Sequence, residues 1–179
     1  KLLAEFEGEP LVRRSARTAL AASAERVVVV TGHRASEIAA SLDRLDVTLV
    51  DNPDYASGMA GSLKAGLAAA LTDDPDGVLV MLADMPGVST ADLDKLISAF
   101  RAQAGRPIVR AVADGKRGNP VILPRATFEA LRSLEGDIGA RPVIESAGLP
   151  VVDVEIGLAA RLDVDTPEAV IAAGGVLKA

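Results

Sequence analysis

The stretch Gly77-Val78-Leu79-Val80-Met81-Leu82-Ala83-Asp84-Met85-Pro86 decides the fold class. Six apolar residues, 78–83, run straight into a carboxylate. Nothing in the run has helical spacing, and its length suits a strand buried on both faces. Pro86 holds Met85 out of the helical region, so the chain stays extended past Asp84. The same form recurs on either side. Residues 27–30 are all valine and end at Thr31-Gly32-His33, and residues 47–50 end at Asp51-Asn52-Pro53. Residues 107–112, 121–123 and 150–154 read as three further strands.

Helical patterns lie between them. Leu11, Val12, Ser15, Ala16, Ala19 and Leu20 form a stripe, with Arg13, Arg14 and Arg17 on the other face. Stripes of Ile38, Leu42 and Leu45, of Leu63, Leu67 and Leu71, and of Phe128, Leu131 and Leu134 predict helices over 36–45, 62–71 and 124–134. Ser89 or Thr90 is expected to cap another, with Asp92 in its first turn and Leu93, Leu96, Ile97 and Phe100 buried. Thr166-Pro167-Glu168 opens the last, with proline at the first helical position. Strands and helices alternate from end to end, which predicts a single α/β sandwich over 1–179 with a mostly parallel sheet. Residues 108–123 are the exception: two strands flanking 113–118 predict a small antiparallel excursion.

The chain has 179 residues, 25 acidic against 19 basic, a net charge of −6, one histidine and no cysteine or tryptophan. Cysteine-zinc sites, iron–sulfur clusters and thiol nucleophiles are excluded, as is a multi-histidine metal site. Aromatics at 2% and the acidic balance argue against nucleic acid as a partner. No apolar run approaches the ~20 residues of a membrane span, so no membrane partner is expected. The lack of cysteine and of a leader-like segment points to the cytoplasm. What remains is chemistry by carboxylates, lysine, arginine, backbone amides and a hard metal ion.

In open α/β sheets ligands bind beyond the carboxyl ends of the strands. Asp84 stands there, as a magnesium ligand or as a turn residue. Leu162-Asp163-Val164-Asp165-Thr166-Pro167 places two aspartates two apart, on one face of an extended segment, as metal ligands or helix caps. The segment 52–62 runs from Asn52-Pro53 to Gly58-Met59-Ala60-Gly61-Ser62. It reads as a ligand loop at a helix N-terminus or as a surface loop. Residues 115–120 and 136–141 are two more glycine-bracketed polar loops, from which Lys116, Arg117 and Arg141 could meet an anion. His33 reads as a turn histidine or as a donor to a phosphate. No Gly-x-Ser-x-Gly elbow supports a triad, and no Gly-x-Gly-x-x-Gly follows a strand.

Taken in order, these segments resemble the molybdenum-cofactor nucleotidyltransferase family, most closely its CTP:molybdopterin cytidylyltransferase branch. The matching stretches are Lys1-Leu2-Leu3, residues 30–34, residues 52–63, Leu82-Ala83-Asp84-Met85-Pro86, residues 115–121, residues 136–141 and Asp163-Val164-Asp165-Thr166-Pro167-Glu168. The resemblance implies a three-layer Rossmann-like nucleotidyltransferase domain. In that family a first strand and a glycine- and arginine-rich phosphate loop precede the lysine matched by Lys1. The chain is therefore expected to lack an N-terminal segment of about 20 residues, the least that completes a βα unit.

The resemblance also implies roles. Lys1 would contact the triphosphate and, with Asp84, serve catalysis. Asp84 and Asp165 would hold Mg²⁺, with Asp163 in support. Gly58, Met59 and Ser62 would line the base pocket. Gly118, Asn119, Pro120 and Arg141 would face molybdopterin, with His33 nearby. The implied substrates are CTP (or GTP) and molybdopterin cofactor, and a molybdenum hydroxylase is the implied acceptor enzyme. Lys1-Leu2-Leu3 stands where the GTP-using branch usually has Asp-Lys-Gly, which favours CTP. The rivals are transfer to another phosphorylated metabolite and a non-catalytic cofactor-binding protein.

Overall fold

A computed structural model describes residues 1–177; the last two residues of the expected 1–179 domain lie outside them. The elements in order are β1 (Glu5–Phe6), β2 (Glu9–Pro10), α1 (Leu11–Leu20), β3 (Val28–Thr31), α2 (Ala35–Ser41) and β4 (Thr48–Asp51). Then come α3 (Met59–Ala70), β5 (Gly77–Val80), α4 (Thr90–Ala102), β6 (Ile108–Ala113) and β7 (Lys116–Pro124). The chain closes with α5 (Phe128–Arg132), α6 (Arg141–Ser146), β8 (Val151–Glu155), α7 (Pro167–Ala172) and β9 (Gly175–Val176). Among the described residues, no helix is long and apolar enough to cross a membrane.

β3 and β4 pair in parallel, and a second sheet runs in the order β5-β7-β6-β8. In it β7 is antiparallel to both β5 and β6, while β6 and β8 are parallel. Strands β5, β6 and β8 therefore share one direction and only β7 is reversed. The predicted antiparallel excursion is present but differs in form. Its second strand is nine residues long rather than three, and it lies inside the sheet. Residues 116–120 are therefore strand and not the predicted loop. The reason is local: Asp114 and Gly115 both have positive φ, 50° and 70°, which closes a two-residue hairpin turn and leaves Lys116 free to pair with Ala113.

Layers form because consecutive residues of β6 and β7 face opposite ways. Val109, Ala111 and Ile122 join Leu93, Leu96, Ile97 and Phe100 of α4 on one side of the sheet. Ile108, Val121 and Leu123 join Leu67, Phe128, Leu131 and Val143 on the other. Of the two expected caps, Ser89 is the one that caps α4, through a reciprocal box with Asp92. Thr166 caps α7 with Pro167 at its first position. Two helices are shorter than their stripes. α2 ends at Ser41, and Arg125–Thr127 form a 3-10 turn before α5 because β7 runs on to Pro124.

β3 and β5 each stand at the edge of a separate sheet. Each has one paired edge, and no ladder joins the two among the described residues. Their valines are only half-buried, whereas every residue of β6 except Arg110 is buried. An apolar cavity of about 220 Å³ opens beside β3, lined among others by Leu2, Val12, Val29, Val30, Tyr55 and Ala83.

Leu96 has no exposed surface and fills the α4 side of the core. Leu96→Ala is expected to cost about 2–5 kcal/mol of stability. Urea unfolding checks it: the midpoint falls while the m-value holds.

Candidate active site

Asp84 follows β5 by four residues, and its carbonyl accepts the Val164 N–H at 2.9 Å. Val164 is fully buried, so this bond pins the flanking aspartates beside Asp84. The segment is a tethered extended coil, not the predicted strand, because its neighbour is one carbonyl rather than a ladder. Lys1 lies between the acids, with Nζ donating to Asp84 Oδ2 and Asp165 Oδ1, each at 2.6 Å. Burial works against the Lys1 charge, but the bonds to Asp165 and Asp84 outweigh it, and its pKa stands above the ordinary value. Asp165 is held below the usual carboxylate range by Lys1 and then by Asp163. Asp163 is pushed up, first by sharing a hydrogen bond with Asp165 and then by desolvation.

Asp84 Oδ1 is buried and has no hydrogen-bond partner. An orphaned carboxylate oxygen costs about 1–3 kcal/mol, which a bound cation would relieve. Among the described residues no group of three or more acidic, histidine or cysteine side chains could cage a metal. Two carboxylates with an unfilled oxygen suit a hard divalent ion that takes its other ligands from substrate and water.

The predicted nucleotide loop is built on Asn52, a residue that sequence reasoning gave no role. Asn52 is buried after β4; its Nδ2 donates to Ser62 Oγ at 3.0 Å and its Oδ1 accepts from the Asp54 N–H at 3.2 Å. α3 starts at Met59, so Ser62 lies within the first turn rather than at the helix start. Gly58 has φ 119°, and a Cβ there would lie 2.5 Å from the Gly136 carbonyl oxygen. The loops join through two main-chain amides: Ala60 N–H donates to that carbonyl and Met59 N–H to the Asp137 side-chain Oδ1, each at 3.2 Å. The two glycine loops, read separately from sequence, form one unit.

The predicted acceptor residues are divided. Gly118 presses β7 onto the turn Gly157–Arg161, where a Cβ would collide with the Ala160 carbonyl. Asn119–Pro120 is a cis peptide within the same strand. Arg141 opens α6, is exposed, and pairs with Glu145. His33 is exposed, with Nδ1 3.4 Å from the Tyr55 hydroxyl. Among the described residues, no hydrogen bond links Gly118, Asn119, Arg141 or His33 to Lys1, Asp84 or Asp165.

The fold is that of an α/β nucleotidyltransferase. Residues 1–151 match the MobA-like NTP transferase domain, and the chain belongs to that family. It is 32% identical over 146 residues to the nicotine blue oxidoreductase of Paenarthrobacter nicotinovorans, covering 79% of this chain and 71% of that protein. It is 25% identical over 174 residues to the molybdenum cofactor cytidylyltransferase of Escherichia coli (strain K12), covering 97% and 86%. The crystal structure of Rv0371c from Mycobacterium tuberculosis H37Rv superposes with a TM-score of 0.84 at 26% identity, over 96% of this chain and 87% of that one. A second structure of Rv0371c, in complex with manganese, gives 0.82 at 24%, over 96% and 89%.

Gly58→Ala forces a side chain into the Gly136–Asp137 backbone at a left-handed φ. It is expected to destabilise the protein by about 1–3 kcal/mol and to loosen the joined loops. Thermal unfolding reads the first effect. Loss of exchange protection at the Ala60 amide reads the second.

Proposed function

We propose that the chain transfers CMP from CTP to the terminal phosphate of molybdopterin cofactor and releases pyrophosphate. The observation that carries this reading is the Lys1–Asp84–Asp165 cluster with its orphaned, buried Asp84 oxygen. Mg²⁺ fits the pair Asp84 and Asp165, and when bound it supplies charge neutralisation for phosphate oxygens. Lys1 neutralises charge developing at the α-phosphorus, and Asp163 supports Asp165 from two residues away. Gly58, Met59 and Ser62 line the base pocket. Gly118, Asn119, Pro120 and Arg141 orient the acceptor, with His33 at the rim.

In the reaction a phosphate oxygen of the acceptor attacks the α-phosphorus in line. A new P–O bond forms, the bond to the β-phosphate oxygen breaks, and pyrophosphate departs. Both partners are anionic, so the work lies in orientation and charge neutralisation. The attacking phosphate is ionised near neutral pH, and no side chain need take a proton from it. The cytidylyltransferase among the relatives supports CTP and molybdopterin. The relative named as an oxidoreductase supplies the competing outcome: turnover of a redox substrate with no pyrophosphate released.

The two edge strands β3 and β5 support a second element of this reading. The unpaired edges of β3 and β5 and the apolar cavity beside β3 suit one more extended segment, with the phosphate loop following it. We propose that residues upstream of Lys1 supply both.

Pyrophosphate release with CTP and GTP in turn, with and without Mg²⁺, tests the reaction. CTP with molybdopterin is expected to be the productive pair. Asp84→Asn is expected to lower turnover by about 10²–10³-fold with an unchanged circular dichroism spectrum. Turnover at the wild-type rate would overturn the metal site. In a chain extended upstream, the amides of β3 and β5 are expected to gain exchange protection; unchanged exchange overturns the strand.

A further inference from the structure

Arg117, in β7, and Arg141, at the start of α6, come from separate elements and converge on one oxygen. Arg117 Nη1 donates to Glu145 Oε1 at 2.7 Å, and Arg141 Nε donates to the same Oε1 at 2.9 Å. Glu145 lies one turn beyond Arg141 on α6. Without it two guanidiniums would face each other and repel. The carboxylate is held below its usual range by Arg141 and then by Arg117. The three side chains are 54%, 73% and 49% exposed, so a solute reaches them with no rearrangement of the core.

The position ties this cluster to the candidate active site from two sides. Arg117 immediately precedes Gly118, which packs on Ala160, and the same turn leads on to Asp163 and Asp165. Arg141 immediately follows the loop 136–140, which accepts hydrogen bonds from the Met59 and Ala60 amides. One carboxylate oxygen gripped by two guanidiniums is also how an oxyanion ligand would be held. Here the chain supplies that oxyanion itself.

We propose that Arg117 and Arg141 are the receptor for a phosphate monoester group on the acceptor, and that Glu145 is its built-in competitor. An incoming carboxylate gains nothing by replacing Glu145, because it brings the same charge and the same two oxygens. A phosphate monoester brings close to two negative charges and three acceptor oxygens, and so displaces it. Glu145 thus sets a charge threshold that selects phosphate monoesters over carboxylates and singly charged diesters. That the acceptor is the substrate bearing this group rests on the nucleotidyl-transfer reading; the anion site does not.

The test follows the arginine Nε–Hε signals by NMR in the presence of EDTA, with inorganic phosphate and acetate as the probes. In the wild type, phosphate is expected to shift Arg117 and Arg141 while acetate leaves them in place. Glu145→Gln is expected to tighten phosphate binding about two- to fivefold, the value of a lost exposed ion pair, and to admit acetate. Adding Arg117→Ala to Glu145→Gln is expected to abolish that gain. Backbone amide spectra confirm that each variant is folded. A Glu145→Gln protein that titrates like the wild type, or phosphate shifts that miss both arginines, overturns the proposal. Absence of pyrophosphate release with every nucleotide overturns the reaction instead and leaves these titrations to stand on their own.

Discussion

The site depends on one main-chain hydrogen bond, from the Val164 N–H to the Asp84 carbonyl. Asp84 and Asp165 are far apart in the chain and repel each other. Nothing in their own chemistry brings them together. Val164 does, because its side chain is fully buried beside Phe6, Leu11 and Val170 and its amide has one acceptor to reach. Hydrophobic burial is thus converted into carboxylate proximity. The resulting negative charge is then neutralised by a cation, here the Lys1 ammonium. The Asp84 oxygen left without a partner shows that the cluster has capacity beyond that lysine.

A second constraint fixes the opposite wall. β7 runs against its neighbours, and its early residues therefore arrive at the same end of the sheet as the carboxyl ends of β5 and β6. Gly118 allows that strand to press on the turn that leads to Asp163. Gly58 allows the loop before α3 to press on the Gly136–Asp137 backbone. In both places a close approach of backbones, open only to glycine, joins segments remote in sequence. Arg117 and Arg141 are carried along by these contacts and meet at Glu145.

Much of this was legible in the linear chain. Asp84, read from its place after six apolar residues, lies four residues past β5 and shares Lys1 with Asp165. The stripe of α4, its Ser89 cap and the proline start of α7 were all visible, because each depends on neighbours within a turn or two. β7 was misjudged. Its glycine and proline suggested a loop, yet they mark close packing and a cis bond within a strand. The Asp114-Gly115 pair was the available signal for that hairpin. Asn52 has no role in the sequence reading because packing sets its partner Ser62, and Glu145 has none because Arg117 reaches it from a remote strand, although its pair with Arg141 has the i,i+4 spacing of a helix. The joining of the two glycine loops left no local trace at all.

What the sequence by itself determined is the α/β alternation and the poverty of thiol and imidazole groups. These follow from periodicity and composition, which act over a few residues or over the whole chain. Only the tertiary structure decided which acids share a cation, which glycines touch backbone, and which carboxylate occupies the arginine pair. Those outcomes turn on distances of a few ångström between remote segments. Such distances are set by how the buried faces pack, and no pattern along a single chain encodes them.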